Sequence, residues 1–270
     1  MQRGILGDHH PDLSYALNNL GFVLLEKGDW AAAEPVLHEN LELVRASLGE
    51  NNIRFGAALN NCARVMQEKG DYDQAEVTFQ RALQAITQAN GAQGWYAAKV
   101  LANLGVLQFD RGDYPAAEDY ARRALDMDRK LGGDENPALV DLAEARIFQA
   151  DPVGAEPLLR QALAIRQKEL LSRHPNVIAA EVRLGEALTA EGKAAEAEPI
   201  LREALTSSQS APFPLLSWQT AEVKSALGAC LMALHRASEA GSFLRDSQAD
   251  LQRDPRPAFR RPHQAPSPVD

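Results

Sequence analysis

The sequence predicts an all-α chain, an α-solenoid of six antiparallel helical hairpins, from three observations. Apolar residues recur at helical spacing: Val100, Leu101, Leu104 and Leu107 precede Gly112-Asp113, and Ala117, Ala121, Ala124 and Leu125 follow it. That pattern is copied along the chain. One constant step toward the N-terminus carries Leu104 to Cys62, Ala117 to Ala75 and Ala124 to Ala82, and an equal second step reaches Leu20, Ala33 and Asn40. Toward the C-terminus, the small residue of the second helix reappears at Ala155 after a shortened step, at Ala197 after a full one, and at Ala240 after one a residue longer. Finally, a single hairpin cannot bury both of its apolar faces, so each copy must stack on the next.

Taken in order, Leu6-Gly7-Asp8-His9-His10-Pro11 aligns with the joint Leu48-Gly49-Glu50-Asn51-Asn52 one step later, so residues 1–10 read as the remnant of a preceding repeat and its linker. The chain is therefore expected to be the tail end of a longer polypeptide, because the first face of the stack is otherwise uncapped. Repeat one spans about 11–48 and opens on Pro11, a favourable first helical residue. Repeats two and three span about 53–90 and 95–132. At their turns glycine suits the left-handed residue that closes the first helix, and an aspartate such as Asp113 accepts from the free amides opening the second.

Glycine within a helix costs about 0.5–1 kcal/mol against alanine. Gly21, Gly105, Gly185 and Gly228 are therefore expected to be offset by close approach of the paired helix, with Ala33, Ala75, Ala117, Ala155, Ala197 and Ala240 as the matching small surface. Repeat four, about 136–171, places Pro137 roughly one helical turn closer to Ala150-Asp151 than Pro11 stands to Gly28-Asp29, which predicts a shortened first helix. Repeat five spans about 175–208. Repeat six, about 217–251, follows the joint Ala211-Pro212-Phe213-Pro214, with Ser217 as its cap. Pro35, Pro157 and Pro199 fall inside second helices at one register and predict a bend. The tail 252–270, rich in proline and carrying Arg253, Arg256, Arg260 and Arg261, reads as disordered.

With 270 residues, 45% hydrophobic and 24% charged, the chain has globular composition, and its periodicity makes it one elongated domain without a central core. A net charge of -9 argues against nucleic acid, which needs a basic stripe to release counterions, and favours basic peptides. Cys62 and Cys230 read as small core residues. With no apolar leader after Arg3 and no apolar run long enough to span a bilayer, neither secretion nor membrane insertion is indicated, and the cytoplasm is the expected compartment.

Leu104-Gly105, Gly112-Asp113-Tyr114, Ala117 and Ala124 resemble the tetratricopeptide repeat signature. The core unit of that signature is about 34 residues. The longer period here, in units such as Leu17–Pro35 joined by Leu6–Asp12, is similar to that of kinesin light chains and of bacterial proteins built like them. The resemblance covers roughly Leu6–Leu251 and implies a right-handed superhelix of tetratricopeptide hairpins. HEAT repeats share a period of about 40–47 but lack this glycine-aspartate-aromatic turn. Ser217–Leu234 resembles the closing repeat of arrays fused behind bacterial serine/threonine kinase domains. The glycine-rich, catalytic-loop and metal-holding motifs of such a kinase are missing here, so a kinase domain would lie upstream.

No catalytic, cofactor or metal site is expected. His10-Pro11 and His174-Pro175 recur at helix starts and read as linker chemistry. The acidic pairs Glu26/Asp29, Glu68/Asp71 and Asp110/Asp113 read as caps and solvated faces. The resemblance implies a groove lined by first helices, which maps to Tyr15, Asn19, Phe22, Asn61, Arg64, Lys99, Asn103, Glu144, Arg183 and Glu186, with Leu25, Gln67, Val106 and Phe109 beside them. Asn19, Asn61 and Asn103 hold one register, and their amides suit either the backbone of an extended peptide or the neighbouring helices.

A co-chaperone carboxylate clamp finds Asn61 and Lys99 in place, but Asn18, Phe22 and Asn103 stand where its other residues are needed, so chaperone tails are disfavoured. The expected function is a non-catalytic protein-interaction scaffold for a peptide or partner helix, with self-association through an open N-terminal face as a further mode. The alternative is the regulatory portion of a larger signalling enzyme such as a bacterial serine/threonine kinase.

Overall fold

The computed structural model describes residues 13–90, 94–170, 174–210 and 217–253, which form helices and turns with no strand. Twelve helices pair as α1 (Leu13–Glu26) with α2 (Trp30–Leu48), α3 (Ile53–Glu68) with α4 (Tyr72–Asn90), and α5 (Trp95–Asp110) with α6 (Tyr114–Leu131). They continue as α7 (Asn136–Phe148) with α8 (Pro152–Glu169), α9 (Pro175–Ala190) with α10 (Ala194–Ser210), and α11 (Ser217–Ala233) with α12 (Ala237–Arg253). The expected remnant 1–10 with His9 and His10, Pro11, the joint Ala211-Pro212-Phe213-Pro214 and the tail from Asp254 lie outside the described residues. So do the side chains of Ser217 and Arg253.

One turn closes all six hairpins. At the first, the Gly28 amide donates to Leu25 O and the Asp29 amide to Leu24 O; the same nested pair recurs at Gly70-Asp71, Gly112-Asp113, Ala150-Asp151, Gly192-Lys193 and His235-Arg236. This arrangement satisfies carbonyls left over at a helix end and needs one residue in the left-handed region. Glycine supplies it at four of the turns, whereas Ala150 and His235 adopt φ of 60° despite carrying a Cβ. Asp29, Asp113 and Asp151 then cap the second helices, each Oδ1 accepting at 2.9–3.1 Å from the amide of Ala32, Ala116 or Gly154 respectively.

The register anomalies have structural counterparts. Helix α7 has 13 residues where α3, α5 and α9 have 16. Pro35, Pro157 and Pro199 each stand sixth in their helices, and those helices run on through them. The six register alanines are all buried, with exposures of 0–3%.

At Gly21, Gly185 and Gly228 those alanines are not what lies nearest the glycine. A Cβ at Gly21 would collide with Leu37, one at Gly185 would stand 2.5 Å from Leu201 Cγ, and one at Gly228 would stand 2.6 Å from Leu244 Cδ2. The leucine one turn beyond each alanine lies over the glycine instead, because a helical side chain covers the surface of the turn before it. Gly105 faces its register alanine as expected: a Cβ there would stand 3.4 Å from Ala117 O and from Tyr120 Cβ, an ordinary clearance.

The chain divides into two compact units between Asp134 and Glu135. The division falls within the shortened repeat step, between Ala117 and Ala155. Each unit has its own core: Leu37, Phe55, Phe79, Ile86, Leu104 and Leu107 in the first, and Leu159, Val182, Leu188, Leu201, Leu227 and Leu231 in the second. Each such side chain contributes about 1.5–3 kcal/mol on burial.

Within each unit, a basic residue at a first-helix turn reaches the glutamate after the register alanine of the previous hairpin. These pairs are Lys69 with Glu34 at 2.9 Å, Arg111 with Glu76 at 3.0 Å, Lys193 with Glu156 at 2.6 Å and Arg236 with Glu198 at 2.7 Å. Exposed pairs contribute about 0–1 kcal/mol each. Their repetition therefore marks the register between hairpins more than it adds stability.

Candidate functional site

The expected binding residues all lie on first helices, at positions fixed relative to the buried alanines, but Leu25, Gln67 and Phe109 are buried there and do not line a surface. In the first unit, Tyr15 is half exposed and the Arg54 guanidinium lies 3.8 Å from its ring centroid while donating to the Tyr15 hydroxyl. Phe22 has two cations about its ring, Lys99 Nζ at 5.1 Å and the Arg64 guanidinium at 5.6 Å. Arg64 is neutralised by Glu26 at 2.9 Å. Desolvation, with Arg64 close by, holds the Lys99 amine below its ordinary value. Each cation over an aromatic face contributes about 0.5–1 kcal/mol.

The asparagines behave differently from one another. Asn19 is exposed, but Asn61 is buried and donates from Nδ2 to Asn18 Oδ1 at 2.9 Å, while Asn103 donates to Asn60 Oδ1 at 2.8 Å. A 3.4 Å contact between Asn60 and Asn61 completes a string of amides across α1, α3 and α5. A buried amide must be satisfied, and side-by-side packing offers it a partner one position away from the register-matched asparagine. Of the two roles open to Asn61 and Asn103, the structure has their donors holding neighbouring helices.

Beyond this string lies a row of carboxylates, Glu26, Glu68 and Asp110, one per hairpin at a single register. They end helices whose C-terminal dipole disfavours negative charge. Burial and then the Asp110 charge push the Glu68 carboxyl up to about 7, and Gln67 donates to Asp110 at 2.6 Å.

In the second unit, Glu144, Arg183 and Glu186 come together and Glu222 joins them. Arg183 contacts Glu144 through Nε at 2.9 Å, Glu186 through Nη1 at 2.8 Å and Glu222 through Nη2 at 3.3 Å. Burial works against the guanidinium's charge, but Glu186 and Glu222 outweigh it and hold the group above its ordinary value. Three carboxylates around one guanidinium leave this face acidic, whereas the aromatic face of the first unit carries Lys99 and Arg54 beside the Arg64–Glu26 pair.

Sequence reasoning misses the contributions of Arg54, Asn18, Asn60 and Glu222. Glu222 is within its reach, since it stands to Ala240 as Tyr15 does to Ala33 and Lys99 does to Ala117. Asn18 and Asn60 are not, because the one-position offset arises only when helices pack.

Burial pushes the Cys62 thiol up to about 12, far from a thiolate nucleophile at neutral pH. Among the described residues no group of three histidine, cysteine, aspartate or glutamate side chains is placed to hold a metal, and no helix is long and apolar enough to cross a membrane.

A family model described as tetratricopeptide repeat matches residues 12–83, 54–130 and 134–210. The chain belongs to the tetratricopeptide repeat family. Solved structures agree on the fold. A putative kinesin light chain from Podosopora anserina with nearly identical tetratricopeptide-like repeats superposes with a TM-score of 0.60 at 19% identity, covering 75% of this chain and 98% of that one. BtubC from P. vanneervenii gives 0.69 at 19% identity, covering 83% and 89%, and the apo form of RapI gives 0.67 at 12%, covering 88% and 83%. At these identities the likeness is one of fold. No curated protein matches the chain in sequence. The helical glycines and nested turns of this tetratricopeptide chain are features of the single hairpin: Gly21 lies against Leu37 and Gly185 against Leu201 of the paired helix, and the Gly28 amide donates to Leu25 O.

Proposed function

We propose that this tetratricopeptide chain is a non-catalytic interaction scaffold that binds an extended peptide or a partner helix against its first-helix faces. The observation that carries the reading is a division of labour by register. Along the first helices the positions facing the paired helix are small or apolar and buried, apart from Glu181 and Lys224. The positions at Tyr15, Phe22, Arg64 and Lys99 instead carry large aromatic or cationic side chains that the core does not use. Aromatic and arginine side chains at an accessible face are the types that dominate protein interfaces. Asn19 remains available as a donor and acceptor for a peptide backbone. The acidic face around Arg183 provides a second contact region, suited to basic residues of a partner. A cytoplasmic setting, bacterial origin, a role in signalling and self-association belong to the same proposal.

The test is a peptide array of mixed charge probed with the full chain, comparing wild type with Phe22→Ala, Lys99→Ala and Glu186→Gln. Weakening of at least tenfold by Phe22→Ala or Lys99→Ala, with the helical spectrum unchanged, supports the reading. Peptide binding indifferent to all three changes, or catalytic turnover by the chain alone, overturns it.

A further inference from the structure

Glu181 on α9 stands to Ala197 as Leu17 does to Ala33, Leu59 to Ala75, Leu101 to Ala117 and Leu139 to Ala155, and all four leucines lie in the core. A carboxyl thus occupies a leucine site. It is 3% exposed, and its Oε2 is buried without a hydrogen-bond partner. The sixth hairpin also has a charge at this register, Lys224, but that lysine meets Asp250 from its paired helix at 2.6 Å. The residue that stands to Glu181 as Asp250 does to Lys224 is Ser207, which brings no charge. Arg183, further along α9, points to the opposite face, where Glu144, Glu186 and Glu222 hold it. Of the elements packed against α9, α10 presents Glu203, and no cation on α7, α8, α10 or α11 draws the carboxyl toward its charged form.

We infer that Glu181 is a proton-operated latch in the second unit: the fifth hairpin closes fully over the neutral carboxyl and loosens when that carboxyl ionises. Burying an unpaired carboxylate is far more costly than burying a carboxylic acid. Burial, and then the charge of Glu203, push the group up to about 7 from the ordinary 4.5. Because the folded chain holds this proton more tightly than the unfolded chain does, the sign of the linkage is set: the contribution of this group to stability is fully present below about pH 4.5 and is lost as pH rises through about 7. The device thus responds to small pH changes near neutrality, a range usually served by histidine.

The test measures amide-exchange protection in α9 and α10 of the full chain between about pH 5 and about pH 8, for wild type, Glu181→Gln and Glu181→Leu. The expected result is a loss of protection in wild type, relative to Glu181→Leu, that grows at least tenfold from the acidic to the basic end, with Glu181→Gln following Glu181→Leu. Glu68, in the first unit, is common to all three proteins and cancels. Parallel profiles overturn the inference. Should a variant fail to fold, carbon-13 NMR of the wild-type Glu181 carboxyl decides the matter: a midpoint near 7 supports the latch, and one near 4.5 overturns it.

Discussion

Asn61 donates from Nδ2 to Asn18 Oδ1 at 2.9 Å, linking the first helices of two successive hairpins through side chains distant in sequence. Asn61 is buried, so removing it leaves the Asn18 carbonyl without its donor. Asn61→Ala is expected to cost about 1–3 kcal/mol, lowering the urea midpoint of the chain. If the midpoint is unchanged while peptide binding weakens, the amide serves the ligand and not the scaffold.

Arg183 gathers three carboxylates, and Glu144 among them is buried. Removing the cation leaves negative charge in a desolvated site, so Arg183→Met is expected to cost about 3–5 kcal/mol at neutral pH. The variant should recover part of that loss in acid, where the orphaned carboxylates take up protons. Thermal midpoints of both proteins between about pH 4 and about pH 8 check this; a deficit that does not shrink on acidification contradicts it.

Gly185 and Gly105 share a register but differ in what lies over them. A Cβ at Gly185 would meet Leu201 Cγ at 2.5 Å, whereas one at Gly105 has 3.4 Å or more. Gly185→Ala should therefore cost about 1–3 kcal/mol through overpacking. Gly105→Ala should be neutral, or gain up to about 1 kcal/mol from better helix propensity. Paired denaturation curves separate the two, and equal effects would refute the difference in packing.

Ala150 takes the left-handed turn position that glycine fills in four other hairpins. Relief of the roughly 1–2 kcal/mol left-handed penalty exceeds the extra chain entropy of glycine, roughly 0.5–1 kcal/mol. Ala150→Gly should stabilise the second unit by up to about 1 kcal/mol, seen as a higher urea midpoint. A lower midpoint would show that the turn is not strained.

The hairpins, their turns and the short α7 were legible in the sequence, because each follows from residues close together in the chain. Helical spacing, a Gly-Asp break and a missing turn before Ala150 act locally, and repetition multiplied a weak signal into a strong one. The register of candidate binding positions was legible for the same reason, since one helix face repeats with one period.

Only the tertiary structure decided what those positions touch. It placed Asn61 against Asn18 and not Asn19, set Leu37 and Leu201 over the glycines instead of the alanines, and enclosed Arg183 with Glu222 from the next hairpin. It also left Glu181 alone in a leucine's place. The physical reason is common to all four: partners lie on a neighbouring helix, the offset between packed helices need not equal the repeat period, and a shift of one position turns a side chain by about 100° around its helix.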